Sequence, residues 1–501
     1  MRRLIALFTV LTFTGLILLS CSDSGTGPSS DNGDNGGDGS DETTTYTMDV
    51  TISPSEGGSV SRSADGPYDE GETVELTAES AEGYGFVEWQ GDLSGTQNPE
   101  EVTMDESKEV TVVFEEKPSF YLASNGVTVI CDAASVGDTG TVEGVTYTKR
   151  TADQITSDNA PTTCTSGITD MYSMFRDSTD FNGDISTWDV SGVTNMMRMF
   201  YNAGSFNQDI SYWDVSAVET MRSMFWDADN FDQDLNSWDV GNVNRMDYMF
   251  RSTPFNGNIS SWDVSSVANM QDMFHGAISF NQDIGDWDVS GVEDMASMFL
   301  NAESFNQDLN SWDVGNVKSM ADMFRDATSF DGNISDWDVS SAMYMNRMFS
   351  GATSFNQDIS GWDVGSVTNM RRMFFEATVF DQSLNSWDVS KVEDMSQMFY
   401  RAFSFNQDLS DWDVSSVTDV SGMFAGDSQG SSSFDGALSG WDLSGISAKE
   451  DMETMFYNAD DFNQDISDWC VPNISEKPAG FSSFSGLAEE HEPVWGTCPG
   501  S

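Results

Sequence analysis

A Trp-Asp-Val or Trp-Asp-Leu tripeptide recurs along about three-fifths of this chain and constrains its architecture more than any other feature. Eleven tryptophans start it and a twelfth, followed by cysteine, closes the series: Trp188, Trp213, Trp238, Trp262, Trp287, Trp312, Trp337, Trp362, Trp387, Trp412, Trp441 and Trp469. The step is 25 residues nearly throughout, with one step of 24 and final steps of 29 and 28. Such a period is typical of repeat proteins, in which each unit buries its apolar side against its neighbours. The chain is therefore predicted to stack about twelve units.

A single unit indicates the local structure to expect. In residues 191–203 the apolar positions recur every three or four residues, which predicts a short amphipathic helix. Residues 206–215 follow, where an extended stretch presents Ile210, Trp213 and Val215 to the core. We interpret this stretch as a strand that stacks at about 4.8 Å per repeat. The regular methionines and aromatic side chains are interpreted as core filler and not as a cofactor site.

The whole unit, MxxMFxxAxxFNxDIxxWDVSxV, resembles the BspA-like surface-protein repeat, a divergent relative of leucine-rich repeats. Its Met-Phe pair recurs at Met199-Phe200, Met224-Phe225, Met249-Phe250, Met273-Phe274, Met298-Phe299, Met323-Phe324, Met348-Phe349, Met373-Phe374 and Met398-Phe399. The resemblance implies an α/β solenoid, leucine-rich-repeat-like, over residues 168–470. It also implies a place outside the cell, with adhesion and host-matrix or cell-cell contacts. The sequence departs from the pattern at Val420 and Cys470, which suggests a fraying C-terminal end.

The N-terminus has the layout of an exported protein. Two arginines precede an apolar run that ends Leu18-Leu19-Ser20-Cys21, so residues 1–20 are expected to be a signal peptide. The last four residues resemble the bacterial lipobox, which implies that Cys21 is lipidated. The alternative is an ordinary signal peptide with an incidental cysteine. Residues 21–45 are rich in Gly, Ser and Asp and are expected to form a flexible tether.

Residues 46–116 change to alternating apolar and polar positions, which predicts a small all-β domain. The expected strands are 47–52, 73–78, 86–89 and 109–114. The order SPxxGGxV, EGxTVxLTA, AEGYxFVxWxGD and VTMDxxKxVTVxF resembles the divergent internalin-type B-repeat. This module is a spacer or adhesion domain of bacterial surfaces, and the resemblance implies no catalytic residues.

Four cysteines remain once Cys21 is assigned to lipid, and three pairings are possible. Their positions around the repeats favour Cys131 with Cys164 and Cys470 with Cys498. Oxidised pairs agree with export. We expect residues 117–167 and 471–501 to cap the two ends of the repeats. The spacing does not suit a zinc site, and the chain has only two histidines.

The chain is strongly acidic, with 83 acidic and 21 basic residues and a formal net charge of −62. Such a surface repels nucleic acid and anionic lipid, so neither is expected as a partner. The alternative is that the acidity only keeps an exported protein soluble. Every Lys or Arg of the array lies in the half of its unit that is predicted to be helical. A ligand of the opposite, anionic ribbon should therefore be cationic or arrive with a divalent metal. The alternative is a merely solvated acidic face with the arginines paired along the helices.

The aspartate of Trp-Asp-Val should form a column of neighbouring carboxylates. Its members are Asp189, Asp214, Asp239, Asp263, Asp288, Asp313, Asp338, Asp363, Asp388 and Asp413, followed by Asp442. Like charges about 5 Å apart are unfavourable unless something offsets them. Each carboxylate either accepts backbone N–H groups at the turn into the next helix, or the first ten bind Ca²⁺ between adjacent units. Backbone capping is favoured, because a second acidic column is interrupted by Asn258, Asn333, Ser383 and Ala437.

Enzymatic motifs are missing from the sequence: it has no nucleophile elbow, no phosphate-cradling Gly-rich loop and no helical His-x-x-x-His. The leading hypothesis is a non-enzymatic, monomeric lipoprotein of the bacterial cell envelope, at the outer membrane or cell surface. Its partner would be an extracellular protein or glycan, and only its lipid anchor would contact the membrane. The second hypothesis is a structural or calcium-binding surface-layer protein without a specific partner. No cofactor other than possible calcium is expected.

Overall fold

The computed structural model describes residues 44–81, 83–428 and 430–499. The signal peptide, Cys21 and most of the tether lie outside these ranges. The described chain divides into two compact units, one of residues 44–81 and 86–114 and one of residues 83–85 and 115–499. Within the described ranges, no helix has the length and apolar character that crossing a membrane requires.

In the described ranges, thirteen short strands precede the repeats. They are β1 Thr45–Tyr46, β2 Met48–Ser53, β3 Gly58–Arg62, β4 Tyr68–Asp69, β5 Thr73–Ser80, β6 Tyr84–Gly91, β7 Glu100–Thr103, β8 Lys108–Glu116, β9 Tyr121–Leu122, β10 Val129–Ile130, β11 Thr139–Val142, β12 Val145–Lys149 and β13 Thr163–Cys164. The four strands predicted for the small β domain are present as β2, β5, β6 and β8.

The first unit is built on two three-stranded sheets. One sheet has the order β2-β8-β6, with β2 and β8 parallel, and the other has the order β3-β5-β7 with antiparallel pairing. Alternate side chains of β5 and β8 point inward, so Val74, Leu76, Val110 and Val112 are buried together with Trp89. The period-2 pattern of the sequence thus forms the core of this domain.

Residues 115–167 form a small β region in front of the repeats. Strands β11 and β12 are antiparallel, and β13 pairs with β12 in parallel. Two 3₁₀ segments, Ala152–Gln154 and Ala160–Thr162, connect this sheet. A disulfide joins Cys131 to Cys164, and both cysteines belong to a small core with Phe120.

The prediction of an α/β, leucine-rich-repeat-like solenoid is wrong. In the described part of the chain there is no α-helix, and the repeats consist of turns and short irregular segments. Successive repeats are joined by single parallel bridges through Asp170, Asn195, Thr220, Arg245, Asn269, Asp294, Ser319, Tyr344, Asn369, Asp394 and Asp419. The predicted strand around Trp213 is also absent, although its apolar side chains are buried.

The supposed helix of each repeat is a series of hydrogen-bonded turns. The N–H groups of Met196, Arg198 and Phe200 donate to carbonyl groups of the next repeat at 2.9–3.1 Å. Between them, the N–H of Met199 donates to the carbonyl of Met196, three residues earlier. Arg198 has φ of 58° and Asn202 has φ of 54°. A positive φ at the third residue of such a turn is typical of type II turns, and a residue of this kind every fourth position ends any helix.

The misleading signal was the apolar spacing. Consecutive turns place residues three and four apart on the inside just as a helix does, and Val193 and Phe200 are buried in either structure. Met196 and Met199, three residues apart, are likewise fully buried. The spacing of the buried residues therefore does not distinguish consecutive turns from a helix.

The core of the repeats consists of stacked aromatic columns. Phe200 lies 3.9 Å from Phe206 of its own repeat and 5.5 Å from Phe225 of the next, measured between ring centroids. The Trp213 and Trp238 rings stack at 6.4 Å with their planes 2° apart. Every tryptophan of the Trp-Asp-Val series also donates its indole N–H to a buried carbonyl of the preceding repeat or, for the first, of the capping region. The repeated tryptophan thus supplies both apolar area and a hydrogen bond.

Candidate functional site

The aspartates of the Trp-Asp-Val column all make the same local contact. In each repeat one carboxylate oxygen accepts the N–H of the residue two positions later, at 3.0–3.2 Å: Asp189, Asp214, Asp239, Asp263, Asp288, Asp313, Asp338, Asp363, Asp388, Asp413 and Asp442. Where serine follows, its hydroxyl often donates as well, as Ser265 does to Asp263 at 2.6 Å. These are side-chain turns of the kind that Asp and Asn favour.

Hydrogen bonding at these turns stabilises the charged form of the carboxylates. The Ser265 hydroxyl and then its N–H lower the pKa of Asp263, and Ser290 lowers the pKa of Asp288 in the same way. The charge of neighbouring Asp288 opposes the effect at Asp263. Local donors therefore offset the repulsion within the column.

The second acidic column has the same role, and asparagine keeps that role at two of its four interruptions. Asn258 and Asn333 replace aspartate yet still accept the N–H two residues later, at 3.0 and 3.1 Å. Each follows a glycine, and a Cβ added to Gly257 or Gly332 would lie about 2 Å from a carbonyl oxygen of the preceding repeat. An amide in place of a carboxylate therefore keeps the turn at these two positions.

The described residues contain no group of three or more His, Cys, Asp or Glu side chains arranged to hold a metal ion. In the Trp-Asp-Val column, each carboxylate bonds to its own turn. In the described residues, no set of ligands supports the expectation that calcium binds between adjacent units.

The cysteines are placed at the two ends of the repeats. Cys131 is bonded to Cys164 and Cys470 to Cys498. The second disulfide lies where Cys470 bridges to Asp442 of the preceding repeat. The predicted lipidation site, Cys21, lies outside the described residues.

One position of the repeat forms a column whose members differ from repeat to repeat. This variable column is the residue that follows Met-Phe: Arg176, Tyr201, Trp226, Arg251, His275, Leu300, Arg325, Ser350, Phe375, Tyr400, Ala425 and Tyr457. Most of these side chains are half-buried. Together with the neighbouring residues of positive φ they form what we call the turn face.

Aromatic and cationic side chains contact one another along the first part of the turn face. The Trp226 and Tyr248 rings stack at 5.2 Å, and Tyr201 meets Trp226 edge-on at the same distance. The Arg251 guanidinium lies 4.8 Å from the centre of the Trp226 ring, and that of Arg222 lies 5.7 Å from the Tyr248 ring. Such cation-π contacts hold the long side chains in place.

Most charges of the turn face are paired. The buried carboxylate of Asp247 accepts from Arg222 at 2.7 Å and from Arg245 at 2.9 Å. Asp272, also buried, contacts Arg251 at 2.6 Å and His275 at 2.5 Å. Arginines thus pair within one repeat, as Arg245 does, and across adjacent repeats, as Arg222 and Arg251 do. The alternative of arginines paired along helices does not hold, because the described repeats contain no α-helix.

The repeats match a family model described as Mycoplasma protein of unknown function, DUF285, over residues 146–254, 251–332, 308–402 and 382–492, which is more than half of the chain. The chain belongs to the DUF285 family. Residues 48–118 match the divergent InlB B-repeat domain. Neither a curated protein nor a solved structure matches the chain. Both matched models describe repeat-containing, surface-type families, which indicate a protein-interaction or surface role.

Sequence reasoning missed an amide column in the DUF285 repeats. The N–H of Asn207 donates to the side-chain oxygen of Asn182, and that of Asp232 donates to Asn207, at 2.9 and 3.0 Å. The following glutamines reinforce the column, as Gln233 does by donating to Asn207 at 2.7 Å. The recurrent Phe-Asn-Gln-Asp motif was the available signal, since amide side chains stack well between identical neighbours.

Proposed function

We propose that this chain is a non-enzymatic cell-surface lipoprotein whose turn face binds an extracellular protein or glycan. The observation that carries the proposal is the contrast between columns within one chain. The Phe, Met and Trp columns of the core hardly change from repeat to repeat, whereas the variable column changes in size, charge and aromaticity. Packing explains the constant columns, and recognition explains the varied one.

The composition of the turn face suits binding. Trp, Tyr and Arg are the residues that dominate binding energy at protein interfaces. Trp226, Tyr248 and Arg251 form such a group, and their mutual contacts limit the conformational entropy that binding removes. Many shallow contacts along the repeats would add up to useful affinity.

The remaining parts of the chain supply attachment in this proposal. Cys21 carries lipid, the Gly/Ser/Asp tether extends the protein from the outer membrane or cell surface, and the B-repeat domain acts as a spacer. The protein works as a monomer, and kinship with BspA-like surface proteins belongs to the same proposal. Incorporation of labelled fatty acid that is abolished by Cys21→Ser tests the anchor.

Binding of the purified full-length protein to an immobilised extracellular-matrix preparation tests the function. We expect saturable binding that is unchanged in EDTA. Binding that EDTA removes and calcium restores, or a large calcium-specific rise in melting temperature, would instead favour the calcium-binding surface-layer alternative. An absence of saturable binding would contradict the proposed function for this class of partner.

A further inference from the structure

The turn face contains a cleft at Ser350, and the sequence explains why it is there. Ser350 and Gly351 occupy positions that carry Arg325 and Asp326 one repeat earlier and Phe375 and Glu376 one repeat later. Two small residues between two pairs of large ones leave a cavity of about 180 Å³. Arg347 and Arg372 complete its lining.

One end of this cleft is cationic. Arg347 and Arg372 hold the same position in consecutive repeats, with Arg371 beside them. Within the described ranges, neither Arg371 nor Arg372 forms an ion pair, and the nearest carboxylate of Arg347 is that of Asp322 at 4.0 Å. In a chain with a formal net charge of −62, Arg347, Arg371 and Arg372 thus form a local group of positive charge.

The Arg372 side chain is held in position for a ligand. Its Nε donates to the side-chain oxygen of Gln397 at 2.6 Å, and its guanidinium lies 5.2 Å from the centre of the Phe375 ring. The two terminal nitrogens of the Arg372 guanidinium remain as hydrogen-bond donors. Their fork-like geometry suits two oxygens of one anion.

The two carboxylates that line the cleft each form an ion pair with another arginine. Asp326 contacts Arg325 at 3.3 Å, and Glu376 contacts Arg401 at 2.6 Å. They neutralise those two arginines and leave Arg347 and Arg372 as the local positive charge.

The pKa of Arg372 is consistent with a group of positive charges at the cleft. Burial lowers the pKa of Arg372, and the positive charges of Arg371, Arg347 and Arg325 lower it further. An anion in the cleft would relieve this repulsion.

We propose that the cleft binds an oxyanion, a carboxylate or sulfate group, between Arg347 and Arg372. The volume is below the roughly 300–1,000 Å³ of sites for drug-sized ligands, so it suits one free anion or one acidic sugar residue. The site stands independently of the proposed surface role, because it depends only on the cleft and its arginines.

Calorimetric titration of the full-length protein in 0.15 M NaCl tests the site, with acetate, sulfate, glucuronate and uncharged glucose as probes. We expect the anions to bind with 1:1 stoichiometry and glucose not to bind. Glucuronate binding much tighter than acetate would identify an acidic sugar as the source, and similar affinities would identify a free anion. Either result supports the oxyanion site.

Three variants separate the cleft from general charge. Arg372→Gln should weaken anion binding about ten- to hundredfold, since it removes a charge-assisted pair, and Gln397 shows that glutamine is accepted at this repeat position. Ser350→Leu fills the cleft with all charges kept and should abolish binding; Leu300 is its precedent. Arg198→Gln, at the same repeat position as Arg372, is the control and should bind normally. Absence of anion binding by the wild type, or equal weakening by Arg198→Gln and Arg372→Gln, would overturn the proposal.

Discussion

Replacing Trp337 by phenylalanine isolates the contribution of the tryptophan column. The Trp337 indole N–H donates to the carbonyl of Leu309 at 2.8 Å, and its ring stacks on Trp312 and Trp362 at 6.4 and 6.1 Å. Phenylalanine keeps an aromatic ring in the column but removes the donor and part of the volume. The Leu309 carbonyl also accepts the backbone N–H of Trp312, so it is left with one bond and not with none.

The cost follows from these contacts. Losing the hydrogen bond costs about 0.5–1.5 kcal/mol, and the unfilled volume of the second ring adds about 1 kcal/mol. A total near 2 kcal/mol should lower the melting temperature by roughly 2–5 °C. Differential scanning calorimetry with tryptophan fluorescence measures the shift.

The chain offers a matched control in Trp226→Phe. Trp226 is half-buried on the turn face, outside the Trp-Asp-Val column, and should lose only part of a cation-π contact with Arg251, worth about 0.5–1 kcal/mol. If Trp337→Phe melts at the wild-type temperature, or Trp226→Phe is equally destabilising, the indole-carbonyl bonds do not stabilise the stack as described.

Three further substitutions test the turns. Gly332→Ala should destabilise by about 2 kcal/mol or more, because its Cβ would meet a carbonyl oxygen at 1.9 Å, while Gly361→Ala, with nothing within 4 Å, should melt like the wild type. Ser223→Val should cost about 1–3 kcal/mol, since Ser223 is buried with φ of 55°, whereas Ser223→Gly should be tolerated. The Ser340 hydroxyl and N–H lower the pKa of Asp338, so this carboxylate contributes stability above its unfolded pKa that is lost as pH falls through the folded one. Asp338→Asn should therefore melt below the wild type near pH 7, with the difference vanishing once the pH is below the folded-state pKa of Asp338. Unfolding curves in chemical denaturant check the two glycine and serine predictions, and thermal melting from pH 7 to pH 2 checks the aspartate prediction. Equal stability of Gly332→Ala and Gly361→Ala, or of Ser223→Val and Ser223→Gly, would contradict the first two. A difference in melting temperature between Asp338→Asn and the wild type that stays constant with pH would contradict the third.

The repeat could be predicted from the sequence because the same buried side chains recur in every unit. Trp213 and Phe200 recur at a fixed period, and both are buried in stacked columns. The local backbone was not predictable from the same signal. Apolar spacing of three and four residues is satisfied by a helix and by consecutive turns, and Arg198 gives no sign of its positive φ. Glycine at the equivalent position of another repeat, Gly422, was the available clue.

The candidate site was predictable in part for a similar reason. The expectation that the Asp column serves backbone N–H groups rested on a chemical preference of aspartate for local turns, and the contacts of Asp263 and Asp288 are of that kind. The cleft at Ser350 forms because small residues of one repeat lie between large residues of its neighbours. This arrangement depends on how the repeats stack, which the sequence alone does not give.

Binding by two double variants tests most directly whether the turn face carries the interaction. Trp226→Ser with Tyr248→Ser removes aromatic surface from the turn face, and Asp288→Asn with Asp313→Asn removes charge from the acidic column while keeping its turns. The affinity of each full-length variant for the immobilised matrix preparation is compared with that of the wild type. We expect at least about tenfold weaker binding for the first variant and unchanged binding for the second. Weaker binding by the aspartate variant alone would contradict this expectation and place recognition on the acidic column.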